Sequence, residues 1–222
     1  FTYKGHEDAP GVPIITPENA EEAAANGCAR STVKETYEFI LGDLNKAIEL
    51  LANTKKTRSD KRYVSLDVAY GIRARVHLTM HNYADALKDA EAALASTSSV
   101  PYSSAAVSKP TFIDIEDASW MWGILITDKD RVSTTGICNF PSHMGSLNYG
   151  YASVGGWRRI SPKLYNQIPE SDVRKGWFLD DTGVSVNLPA AAQAYITKKG
   201  APVYTQVKYG PMNDAWGSNN HA

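Results

Sequence analysis

Between Thr32 and Ala52 the apolar residues return at steps of three and four. Val33, Tyr37, Ile40, Leu44, Ala47 and Leu51 therefore share one face of a helix. Thr32 with Glu35 three residues later is a capping box, in which each side chain takes a first-turn N–H that has no partner within the helix. The pattern predicts a helix ending near Ala52. A second stripe, Ala69, Ile72, Val76 and Met80, follows Ser65, a plausible N-cap, and Asp67, whose charge suits the positive end of a helix. A third helix opens at Tyr83 and presents Ala86, Ala90, Ala93 and Leu94, small residues that let two antiparallel helices approach. Gly71 lies inside the second helix, where glycine costs ~1 kcal/mol relative to alanine. Its presence predicts another helix passing close at that point.

Outside these stripes the periodicity fades. Residues 1–30 carry Pro10, Pro13 and Pro17 with Gly5, Gly11 and Gly27, and read as an extended lead-in with a short helical turn at "PENAEEAAA". Residues 31–100 form the helical part. Residues 101–222 are loop-rich: all five tryptophans lie beyond residue 119, and eleven of the sixteen glycines lie beyond residue 120. The whole reads as one domain, or part of one. "YEFILGDLNKAIELL" and "YADALKDAEAALAS" align with Tyr37 over Tyr83, Asp43 over Asp89 and Ala47 over Ala93, an offset of 46 residues. A tetratricopeptide repeat has ~34 residues, and an enlarged loop at "NTKKTRSDKRYV" accounts for the excess. Helix pairs of this kind need neighbours, because one pair cannot bury both apolar faces.

Composition narrows the chemistry. A chain of 222 residues with 43% hydrophobic and 21% charged residues is an ordinary globular composition. A formal charge of −1 and pI near 6.6 supply no basic face for nucleic acid. The one basic cluster, Lys55, Lys56, Arg58, Lys61 and Arg62, has no interleaved aromatics and reads as a solvated loop. Cys28 and Cys138 lack C-x-x-C spacing, so no zinc site is indicated, and one disulfide or two thiols both fit. No apolar run reaches the ~20 residues of a membrane helix.

The ordered series of segments resembles the SusD/RagB family, the glycan-binding surface lipoproteins of Bacteroidetes. "STVKETYEFILGDLNKAIELL" followed by "RYVSLDVAYGIRARVHLTMHNYADALKDAEAAL" is similar to the family's first tetratricopeptide-like part. "RRISPKLYNQIPESDVRKGWFL" resembles its P-x-x-L…D-x-R stretch through Pro162, Leu164, Asp172 and Arg174, and "YTQVKYG" its short strand-like segment. The resemblance runs roughly from Gly11 to Gly210 and implies a mainly α, SusD-like fold with few short strands. The family also has a lipid-modified cysteine at its start and further helices at its end. Neither is present here, so the resemblance implies an internal portion of such a protein.

Catalytic signatures are weak. In "HLTMH", His77 and His81 lie four apart, but Leu78 stands where a zinc metalloprotease has its glutamate, so a packing role is expected for His77 and a turn for His81. "GVSVN" lacks the last glycine of a nucleophile elbow, and no phosphate-binding loop occurs. Glycoside hydrolysis needs only two carboxylates at the right separation, for which Asp114, Glu116, Asp117, Asp128, Asp130, Glu170 and Asp172 are candidates. Trp120 and Trp122 alternate as in a short strand, with at least one expected in the core, and Trp177 reads as packing.

The informative stretch is "ICNFPSHMGSLNYGYASVGGWRR". Its glycines permit tight turns from which Phe140, Tyr149, Tyr151 and Trp157 can project, with Asn148, Ser146, Arg158 and His143 as hydrogen-bonding partners for sugar hydroxyls. One aromatic face contributes ~2–3 kcal/mol, and association costs at least ~4 kcal/mol. Two or three such platforms give millimolar to micromolar binding. The expectation is a glycan-binding protein without cofactor or catalysis, with Tyr149, Tyr151, Trp157, Asn148, Arg158 and Phe140 at the site. The resemblance further implies an outer-membrane, lipid-anchored protein that passes oligosaccharide to a SusC-like TonB-dependent transporter. A tetratricopeptide-type peptide-binding adaptor and, less favoured, a glycoside hydrolase are the alternatives.

Overall fold

The computed structural model describes residues 3–54, 56–111, 113–125 and 140–217, and the chain divides into two units, Phe1–Ser98 and Ser99–Ala222. Most regular structure is helical, and among the described residues strand pairing consists of isolated bridges, in agreement with the SusD-like fold class expected from the sequence.

In the first unit, α1 (Ala20–Asn26) is followed by α2 (Val33–Asn53), α3 (Leu66–Thr79) and α4 (Tyr83–Ser96). The capping box at α2 forms as read: Glu35 N–H donates to Thr32 Oγ1 at 3.1 Å, and Thr32 N–H donates to Glu35 Oε2 at 2.8 Å. Each free N–H of that first turn needs an acceptor. The lead-in supplies the other two: Val33 N–H donates to Ala9 O and Lys34 N–H to Glu7 O, both at 2.9 Å. Gly11 is forced by this closeness, because a Cβ there would lie 2.7 Å from Thr32 O.

Helices α2, α3 and α4 pack side by side, and one polar staple joins them. Arg73 on α3 donates to both carboxylate oxygens of Asp89 on α4, at 2.7 and 2.6 Å, and its third nitrogen donates to Asn45 Oδ1 on α2 at 2.6 Å. Asp89 is 3% exposed. A bidentate, charge-assisted pair of this kind fixes helix orientation as well as distance. The internal repeat is thus unequal in environment: Asp89 is buried and paired, whereas its counterpart Asp43 is exposed.

The turn between α3 and α4 places His81 in the left-handed region at φ 64, with Asn82 N–H donating to His77 O. The His81 ring stacks on Tyr83 with centroids 5.7 Å apart, while His77 Nε2 lies 3.8 Å from Asp89 Oδ2. The two histidines are therefore engaged by different neighbours. Gly71 departs from its expectation, since among the described residues a Cβ there would meet nothing within 4 Å.

The second unit is built on the segment 205–210, which follows a turn at Val203 and Tyr204. Arg159 and Phe178 bridge antiparallel to Thr205 and Gln206, and Thr111 bridges parallel to Tyr209. Gln206 N–H donates to Arg158 O at 2.8 Å, Leu179 N–H to Thr205 O at 2.9 Å, and Val207 N–H to Trp177 O at 2.7 Å. Two chain segments, around 159 and around 178, thus pair with one spine. Its core is Leu147, Leu179, Ala192, Ile196 and Val207, with Trp157 and Trp216 packed against it; Ala192 and Ile196 come from the helix Ala190–Lys198.

Trp120 and Trp122 do not form a strand: the segment lacks ladder pairing, Trp120 is partly buried and Trp122 is exposed. Trp177 does pack inward, its Nε1–H donating to Val107 O at 2.6 Å and its face covered by the Lys208 ammonium at 4.5 Å. Burial lowers the Lys208 pKa and raises that of its neighbour Tyr209. Asp172 and Arg174 pair with each other. Arg174 donates from Nε to Asp172 Oδ1 at 2.9 Å and from Nη2 to Oδ2 at 2.6 Å, and this bonding lowers the Asp172 pKa to about 2.

Two substitutions test this account of the first unit in thermal melts, with opposite expected signs. Gly71→Ala gains about 0.5–1 kcal/mol, because a helix interior without crowding favours alanine. Asp89→Ala loses on the order of 3 kcal/mol, because Arg73 is left partly buried and unpaired. A destabilising Gly71→Ala would contradict the open environment at that position.

Candidate functional site

The helix Phe140–Met144 leads into a segment whose residues alternate between interior and surface. Leu147 and Asn148 lie inside, Tyr149 is 46% exposed, Gly150 is buried, Tyr151 is 43% exposed, and Ala152 and Ser153 are buried. Two tyrosines therefore project from a buried glycine. The glycine is required by contact: a Cβ at Gly150 would lie 2.7 Å from Ser142 Cα.

Two serines hold the glycine turn. Tyr151 N–H donates to Ser142 Oγ at 3.2 Å, and Gly150 N–H donates to Ser153 Oγ at 3.2 Å, while the Ser153 hydroxyl returns a bond to Gly150 O. Tyr151 O accepts from Gly156 N–H at 2.7 Å, and a Cβ at Gly156 would lie 2.8 Å from that same oxygen. The short 3-10 turn Tyr151–Ser153 is thereby closed on itself. The His143 ring sits 5.2 Å from the Tyr151 ring, tilted by 34°.

Gln206 ties both ends of the segment to the spine. Its side-chain amide donates to Met144 O, its backbone N–H donates to Arg158 O at 2.8 Å, and its side-chain oxygen accepts from Lys208 N–H at 3.1 Å. Leu147 is pinned from a third side, its carbonyl accepting from Gly217 N–H at 2.8 Å.

The residues nominated from sequence separate into layers. Tyr149, Tyr151, His143 and Arg158 are exposed. Arg158 uses Nη1 to donate to Gly156 O at 3.0 Å. Trp157 packs on the core and acts as an anchor beneath the turn. Asn148 and Ser146 are buried and lie beneath the exposed tyrosines rather than at the surface with them. The Phe140 side chain falls outside the described residues, as do Cys138, Asp128 and Asp130. Ser142, Ser153 and Gln206 do the positioning. Ser153 acts on Gly150 within one turn and Ser142 on Tyr151 nine residues on, whereas Gln206 acts through Met144 and Arg158, remote in sequence, so the sequence pattern does not mark it.

The nominated carboxylates are held locally. Asp114 accepts from Glu116 N–H at 2.9 Å, Asp117 accepts from Ser119 N–H at 2.8 Å, Glu170 pairs with Lys175, and Asp172 pairs with Arg174. Among the described residues no group of three or more His, Cys, Asp or Glu is placed to hold a metal ion.

If the spine restrains the aromatic segment, Gln206→Ala releases it. Limited tryptic cleavage at Arg158 is then expected to speed up several-fold, alongside a stability loss of about 1–3 kcal/mol from the unpaired buried groups. An unchanged cleavage rate would show that Gln206 is not the restraint.

Comparison with known proteins bears on this architecture. Residues 2–78 match the SusD-like family model described as "Starch-binding associating with outer membrane". The chain is similar to a solved SusD-like carbohydrate-binding protein from Bacteroides vulgatus ATCC 8482, with a TM-score of 0.64 and 23% identity over 81% of this chain. A SusD-like protein from Bacteroides fragilis NCTC 9343 aligns with a TM-score of 0.47 and 19% identity over 82% of this chain. The present chain spans 36% of the length of the first and 43% of the second. No curated protein matches it. The chain thus has the SusD-like fold, and its residues 2–78 carry the sequence pattern of the SusD-like family.

Proposed function

We propose that the protein is a surface glycan-binding protein that captures oligosaccharide on Tyr149 and Tyr151 and performs no chemistry on it. The observation that carries this reading is the pair of exposed tyrosines flanking the buried Gly150, on a turn held by Ser142 and Ser153. Sugar rings present flat arrays of C–H groups that stack on aromatic faces, and a rigid turn presents those faces without an ordering cost at binding. The family model's description and the carbohydrate-binding relative support the ligand class.

Magnitudes set the expected strength. With Trp157 serving as an anchor, two platforms remain, each contributing ~2–3 kcal/mol, against an association cost of at least ~4 kcal/mol. Stacking alone therefore falls short of the millimolar to micromolar range expected from the sequence, since it leaves at most about 2 kcal/mol and millimolar affinity needs −4.1 kcal/mol. Arg158 and His143 close the gap, at about 1–1.5 kcal/mol for each hydrogen bond to a sugar hydroxyl. The affinity is millimolar, suited to a carrier that must release its cargo.

The resemblance to SusD-like proteins supports the rest of the reading: a lipid-anchored outer-membrane protein that hands oligosaccharide to a SusC-like TonB-dependent transporter. Among the described residues no helix is long and apolar enough to cross a membrane, so attachment in this reading is through lipid.

Affinity electrophoresis through gels containing each of a panel of polysaccharides tests the assignment. At least one polysaccharide should retard the protein, Tyr149→Ala and Tyr151→Ala should each weaken retardation at least tenfold, and no new reducing ends should appear. Absence of retardation across the panel, or wild-type behaviour of both variants, would contradict it.

A further inference from the structure

The loop joining α2 to α3 walls a groove of about 800 Å3 together with the last turn of α2 and the first turn of α3. Leu50, Tyr63 and Val64 line it while remaining 59%, 57% and 40% exposed, so apolar side chains gather in one concave place rather than being scattered. The same stretch concentrates charge. Residues 54–67 contain Lys55, Lys56, Arg58, Lys61 and Arg62 against Asp60 and Asp67, in a chain whose net charge is −1.

The two carboxylates offset part of this charge, Asp67 from the groove lining, where it interacts with Arg58, and they leave the stretch net positive. Asp60 lies outside the lining and is gripped by Arg62, which donates from Nε at 2.9 Å and from Nη2 at 2.7 Å. Asp67 is buried in the first turn of α3, where it accepts from Ser65. The Lys56 ammonium, on the groove wall, has no partner among the described residues.

We propose that this groove docks an acidic, extended segment of a partner protein, with aliphatic side chains seated beside Leu50 and Val64 and carboxylates meeting Lys56 and the net positive charge of residues 56–62. Charge complementarity selects the acidic partner. The lining selects peptide over sugar or nucleic acid, since Leu50, Leu51, Leu66 and Val64 are aliphatic and Tyr63 is the sole aromatic, whereas sugars and bases stack on aromatic platforms. The site lies wholly in the first unit, and it stands whether or not Tyr149 and Tyr151 bind glycan.

Fluorescence anisotropy of a labelled decapeptide, six Glu or Asp with two Leu, tests the groove at low salt. Saturable binding is expected, weakened about two- to fivefold by Lys56→Glu and likewise by Leu50→Ser, the worth of one exposed charge pair or one partly buried contact. Salt at 0.5 M should weaken it further, as the Debye length falls below roughly 5 Å. Both side chains are exposed, so unchanged melting curves check the fold of each variant. Three results would overturn the proposal: no saturable binding, equal binding when Ser replaces Leu in the peptide, or tighter binding of a heparin oligosaccharide or oligonucleotide that ignores Leu50→Ser.

Discussion

One glutamine sets the geometry of the second unit. Gln206 spends its backbone N–H on Arg158 and its side-chain amide on Met144, so both ends of the segment 144–158 are fixed to one residue of the spine. A loop closed at both ends by a buried donor has few ways to move as a body. Buried polar groups of this kind specify one arrangement, because every alternative leaves a donor or acceptor without a partner. Leu147 adds the apolar half of the restraint by filling the core between Leu179 and Ile196.

The aromatic turn follows from that closure. With its ends fixed, the chain between them must reverse sharply, and Gly150 approaches Ser142 closely enough to exclude any side chain. The serine hydroxyls then satisfy the backbone groups that the reversal leaves unpaired. Tyr149 and Tyr151 face outward because the residues between and beside them are committed inward. Function in this reading is a by-product of packing: the inward residues hold the turn, and the outward ones meet the sugar. The first unit works by a different device, an Arg73–Asp89 staple across α3 and α4, and its surface carries a separate groove.

Much of the first unit was legible from sequence because its signals are local. The capping box at Thr32 and Glu35 joins residues three apart, and the stripes of α2 and α3 repeat within a single helix. The turn at His81 was legible for the same reason. Gly71 misled, because glycine inside a helix implies close approach only when a neighbour is there, and periodicity does not report neighbours. "SWMWGIL" misled similarly: alternation of apolar residues describes a strand only where a neighbouring strand pairs with it, and Trp120 to Trp122 take bent and irregular backbone. In the second unit the glycines did mark tight turns, at Gly150 and Gly156. Its layering was hidden, because whether Trp157 or Tyr151 faces solvent depends on Leu179, Ile196 and Gln206, all remote in sequence.

The central claim is that oligosaccharide rests on two specific rings. Nuclear magnetic resonance on protein with isotopically labelled tyrosine rings, with Tyr149→Phe and Tyr151→Phe used to assign the signals, reads it directly. During titration with an oligosaccharide that binds, the account predicts that the ring resonances of Tyr149 and Tyr151 move with the largest shifts. Saturation with sugar that leaves both rings unmoved while other tyrosines respond would contradict it.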